Sequence, residues 1–179
     1  MRYQPVTIIL AFLFPLFAGC GTDEAFVKGL PKISSFDVQK YMGTWYEVAR
    51  FQHSFEKDVI RTTANYTLRE DGTVRVVNAG VDVNDTSKKK EARAVAHLVK
   101  GDIPGHLRVS FFRPFYGDYR IIALDEKNYQ YALVTSSSRD YLWILSRTKS
   151  MDPALYASLV ETARKSGLDV TRIYRVPQE

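Results

Sequence analysis

Arg61-Thr62-Thr63-Ala64-Asn65-Tyr66-Thr67-Leu68-Arg69-Glu70-Asp71-Gly72-Thr73-Val74-Arg75-Val76-Val77-Asn78-Ala79-Gly80 carries the clearest strand–turn–strand pattern in the sequence. Two runs rich in Thr, Val and Tyr flank Asp71-Gly72, a dipeptide that marks a tight turn between antiparallel strands. Outward from this hairpin, similar runs recur at short intervals: 44–51, 91–99, 106–112, 119–125, 129–135 and 141–148. No helix-length segment separates neighbours. A parallel pair would need a long crossover, so the reading is eight antiparallel strands in a row. Such a meander removes both sheet edges by closing into an up-and-down barrel. The expected fold is therefore all-β, an eight-stranded antiparallel β-barrel.

One helix follows the strands. Asp152 suits its N-cap, Pro153 its first turn and Gly167 the position just past its end. Leu155, Tyr156, Leu159, Val160 and Ala163 make one apolar face, opposite a mixed face with Glu161, Arg164 and Lys165. A membrane-surface helix would be more uniformly basic, so this helix is expected to pack outside the barrel. A last strand is expected near 170–176.

A barrel of eight strands either fills with side chains or holds one small ligand. Ala92, Ala94, Ala96 and Leu98 share a face, as do Ala64, Tyr66 and Leu68; Tyr119, Ile121 and Ala123 oppose Arg120. If these faces point inward, small groups line the lumen and leave a cavity; the alternative puts the alanines under the helix. The loops differ as well. Those near 70–72, 101–105 and 126–128 are short, whereas those near 52–60 and 81–90 are long. One end closed and one framed by long loops describes a cup.

The 179 residues are 45% hydrophobic, enough for one core. The formal charge of +5 comes without a long basic run, which speaks against nucleic-acid binding. Residues 1–19 read as an export signal: Arg2, then a largely apolar run to Phe17, too short to span a bilayer and interrupted by Pro15. Phe17-Ala18-Gly19-Cys20 resembles the lipobox of bacterial lipoproteins, which implies cleavage before Cys20 and acylation of its thiol, for instance by palmitate. The alternative is an ordinary cleaved signal with an incidental thiol. Cys20 is the only cysteine, so its acylation would remove disulfides, Cys nucleophiles and Cys-bound metals together. The expected division is signal 1–19, lipidated tether 20–33 and barrel domain 34–179.

Gly43-Thr44-Trp45-Tyr46-Glu47 after a short lead-in, Gly117-Asp118-Tyr119, and Trp143-Ile144-Leu145-Ser146-Arg147 resemble, in order and spacing, the three motifs of the lipocalin family. The resemblance covers about 36–176. The lipobox, with Phe111–Gly117 and Tyr141–Arg147, is most similar to the bacterial outer-membrane subgroup. That implies a protein at the outer membrane, facing the periplasm, that stores or transports fatty acids, lysophospholipids or similar lipophilic molecules. By the same resemblance Gly43, Trp45 and Arg147 close the barrel, the arginine lying over the indole. Trp143, Tyr141 and Leu145 then share the inward face, Phe115 and Tyr116 occupy the mouth loop, and Tyr119 follows on the next strand. These six are the candidate ligand contacts, against ordinary barrel packing as the alternative. A homodimer is compatible with the sequence, which does not decide it.

Other readings compete. No Gly-x-Ser-x-Gly elbow is present, and Ser136-Ser137-Ser138 is ordinary loop composition, so no enzyme is expected. Haem through His53, His97 or His106 is disfavoured by outward parity for His97 and loop positions for the others; no metal or cofactor is expected. A structural envelope lipoprotein with a vestigial cavity is the remaining class. Lys57, Lys88, Lys89 and Lys90 border the open end and would either attract an anionic head group or form a plain solvated rim.

Overall fold

The computed structural model describes residues 23–54, 56–101 and 103–179. Cys20 and the signal segment 1–19 lie outside the described residues. The strands are β1 Gly43–Phe51, β2 Val59–Leu68, β3 Val74–Asp82, β4 Lys89–Leu98, β5 His106–Phe112, β6 Phe115–Leu124, β7 Tyr131–Thr135 and β8 Leu142–Ser146. Each pairs antiparallel with its neighbour, and β1 pairs with both β8 and β2, so the sheet closes on itself. The turn after β2 follows its sequence: Gly72 has φ +77°, and Asp71 Oδ1 accepts from the Thr73 amide and hydroxyl.

Closure is incomplete along one seam. β1 meets β2 only over Gly43–Tyr46, and beyond that β9 (Ile173–Arg175) pairs with Ala49–Phe51 instead. The residues after β9 fill the gap. Arg61 N–H donates to Pro177 O (2.8 Å), and the Gln178 amide donates to Glu47 O and Thr62 O, on opposite sides of the seam. The segment expected as a last strand is thus a 3₁₀ turn, Val170–Arg172, a three-residue strand and this bridge.

Strand parity sorts the apolar residues into two cores. Trp45, Ala64, Tyr66, Val74, Val76, Ala94, Ala96, Leu107, Ile121 and Leu145 form the inner one, so the alanines do point inward. The outer core packs Val48, Phe51, Ile122, Leu133 and Ile144 against Leu159 and Ala163 of the C-terminal helix, Pro153–Lys165. Asp152 caps that helix through the Ala154 and Leu155 amides, and Gly167 follows it at φ +81°. One expected parity fails. A bulge between Ile121 and Ala123 turns Ala123 to the outer core and Leu124 inward.

Residues 21–33, read as a structureless tether, are structured over the part described. Helix α1, Glu24–Gly29, places Phe26 (3% exposed) and then Leu30 in the outer core. Asp23 Oδ1 caps it, while Asp23 Oδ2 accepts from Arg139, whose guanidinium lies over the Phe26 ring. Phe26 and Leu30, with partly buried Val27, carry this docking, too few side chains to show a helical period. A second short helix, α2 (Val38–Tyr41), precedes β1, with Asp37 as its cap.

Candidate functional site

The two barrel ends are built differently. At the end of the short loops, Trp45 is fully buried and its indole N–H donates to Tyr41 O (2.8 Å). The Arg147 guanidinium sits 3.8 Å from the Trp45 ring centroid and donates to the carbonyls of Thr44, Lys40, Met42 and Tyr129. It thereby ties the unsatisfied last carbonyls of α2 across the barrel base. Gly43, at φ +91°, lets the chain turn from α2 into β1 beside Arg147.

Exposure of the inward-facing residues is layered. Trp45, Val74, Ala96, Leu107, Ile121 and Leu145 are buried. Higher up the same walls, Thr62, Asn78, Ala92, Val109 and Trp143 are only half-buried, and the Glu47 side chain keeps 13% of its surface. A residue that points into a barrel yet stays accessible borders an open lumen. A buried core fills the base, and inward-facing side chains of the upper walls keep accessible surface.

An aromatic wall rises from this lumen to the mouth. Trp143 stacks on Tyr141 (5.7 Å between centroids), and Tyr141 stacks on His53 of the β1–β2 loop (4.4 Å). Burial holds the His53 ring below its ordinary pKa, so it is neutral at pH 7. Its place in this wall was not read from the sequence, because stacking between a loop and a distant strand leaves no local signal.

Beside the seam, Arg50 is fully buried between two carboxylates. Its Nη1 donates to Glu47 Oε1, its Nη2 to the carbonyls of Glu56 and Val59, and its Nε lies 3.8 Å from Glu56 Oε1. One cation neutralises one carboxylate. Burial, and then the nearby Glu47 charge, push Glu56 up to about 8; burial also raises Glu47 against the pull of Arg50. Glu56 therefore holds its proton through neutral pH.

The sequence-derived contacts divide. Trp143, Tyr141 and Tyr119 border the lumen, while Leu145 (3% exposed) belongs to the packed base. Phe115 and Tyr116 do not lie in a mouth loop. A bulge between Val109 and Phe112 and the two-residue turn Arg113-Pro114 carry β5 and β6 out to the hairpin tip. Parity then sends Tyr116 to the outer face, between His97 (5.1 Å) and Arg108 (5.7 Å). Phe115 stands half exposed at the tip, opposite Phe112. Half of the lysine rim is paired: Lys90 with Asp82 (2.7 Å) and Lys88 with Asp85 (3.3 Å).

With this geometry stand the comparisons. A family model described as a lipocalin-like domain matches residues 36–178. Outer membrane lipoprotein Blc of Vibrio cholerae is 40% identical over 96% of this chain and 98% of its own length. The protein of that name from Escherichia coli K12 is 40% identical over 99% and 98%. Bovine apolipoprotein D is 32% identical over 94% of this chain and 93% of its own. Among solved structures, lobster apocrustacyanin A1 shares the fold at 15% identity, with a TM-score of 0.65 over 84% of this chain and 91% of that one. A closed eight-stranded barrel with an outer helix, an arginine over the first-strand tryptophan and these matches lead to one conclusion: the chain belongs to the lipocalin family.

Proposed function

We propose that this protein is a lipid carrier of the cell envelope, anchored through Cys20 at the outer membrane on its periplasmic face, with a fatty acid or lysophospholipid-type chain in its lumen. The observation that carries the reading is the layered exposure: a sealed base beneath an upper lumen walled by Trp143, Tyr141, Val109 and small side chains. Enclosing about ten methylenes there is worth on the order of 8 kcal/mol before the costs of binding.

Asp23, the first described residue, is held by Arg139 of the β7–β8 loop, so the described chain begins at the mouth, which supports an anchor acting at that end. Phe111, Phe112, Phe115 and Val83 are exposed at that same end. Aromatic and apolar side chains of this kind sit well at the bilayer interface. The mouth therefore faces the membrane, where a lipid can pass without crossing water.

Titration of the delipidated protein with a fluorescent fatty-acid probe, displaced by hexadecanoate, tests the reading. One saturable site is expected, about tenfold weaker in Trp143→Ala and unchanged in Tyr116→Ala, whose ring faces outward. A protein that takes up no probe, or a Tyr116→Ala loss equal to that of Trp143→Ala, would overturn it.

A further inference from the structure

Three tyrosines meet at the base of the lumen. Tyr41 Oη lies 2.6 Å from Tyr119 Oη, and Tyr66 Oη lies 3.0 Å from it. Burial raises the pKa of all three, Tyr66 to about 12, so each keeps its proton. Three hydroxyls carry three protons, but a chain of three oxygens holds only two hydrogen bonds. One donor is left over, and the protein supplies no further acceptor for it among the described residues.

Burial says which one. Tyr41 and Tyr66 are 1% and 5% exposed, whereas Tyr119 is only partly buried. With Tyr41 and Tyr66 both donating to Tyr119, the spare proton is that of Tyr119, the least buried ring of the three, and is free for a molecule in the lumen. The surroundings also set the charge of what it meets. Glu47 and Arg147 act on Tyr66 in opposite senses, and Glu47 is already paired with Arg50, so no free cation awaits an anion at the base. Burying an anion there costs far more than burying a neutral oxygen that accepts a hydrogen bond.

We infer that the Tyr41–Tyr119–Tyr66 cluster is a hydrogen-bond-donating subsite that selects lipophilic chains bearing a neutral oxygen, a hydroxyl or ketone, at the end that enters first. This rests on the carrier reading above and adds its ligand class. The acidic head stays at the mouth, and the oxygenated tail reaches the tyrosines.

Three chain-matched acids test it by probe displacement: hexadecanoate, 16-hydroxyhexadecanoate and 15-oxohexadecanoate. The wild type is expected to bind both oxygenated acids at least as tightly as hexadecanoate. In Tyr41→Phe/Tyr66→Phe/Tyr119→Phe, which keeps the rings, the affinity of both oxygenated acids relative to that of hexadecanoate on the same variant should fall about tenfold. The ketone accepts without donating, so its acceptance by the wild type reports a donor on the protein even if the triple variant does not fold. Rejection of both oxygenated acids by a wild type that binds hexadecanoate would overturn the subsite and leave the carrier reading standing. No binding of hexadecanoate would instead sink the carrier reading.

Discussion

Arg147 combines a ring contact with donation to carbonyls from three segments, a role that lysine cannot fill with a single point charge. Arg147→Ala should lower the unfolding free energy by about 1–3 kcal/mol in urea titrations, and Arg147→Lys should recover only part of it. Glu56 gives a second prediction at this scale. Its pKa of about 8 in the folded protein exceeds the ordinary carboxylate value, so the folded state binds more protons than the unfolded one. That contribution is complete below the unfolded pKa and is lost as pH rises through 8. Melting temperature should thus decline between about pH 5 and pH 8, and Glu56→Gln should flatten the decline, ending some 3–5 °C higher at pH 8.5. A wild-type profile that rises over this window would contradict the assignment. Trp45, Trp143 and Arg147 were legible in the sequence because strand motifs fix their parity. The tyrosine cluster was not, since its members are 78 and 53 residues apart and only barrel closure brings them together.

At the scale of elements, the strand pattern could be read because period two, Asp71-Gly72 and the Asp152/Gly167 caps are local signals. The departures all have local causes that periodicity cannot see. A bulge moved Ala123 outward, and a second bulge with the Arg113-Pro114 turn moved Tyr116 from mouth to outer face. Helix α1 escaped notice because Phe26 and Leu30 are too few to make a stripe, yet both are buried against the barrel. Phe26→Ala should therefore cost about 3 kcal/mol, and it should free Arg139 from the ring beneath it. If the segment were only a tether, thermal unfolding of Phe26→Ala would match the wild type.

For the whole molecule, two cores divide the labour. The outer one, under the C-terminal helix and α1, holds four strands rigid, while the inner one packs only the base and leaves the upper lumen open. The seam between β1 and β2 is bridged by Pro177 and Gln178, so the last residues belong to the barrel wall. Whether the upper lumen holds a lipid is decided by native mass spectrometry of a Cys20→Ala form, exported and purified without detergent, in which an acyl chain on Cys20 could not add to the mass. One bound lipid per barrel is expected, released on delipidation and reduced in Trp143→Ala. A population carrying only the bare polypeptide mass, unchanged after incubation with hexadecanoate, would contradict it.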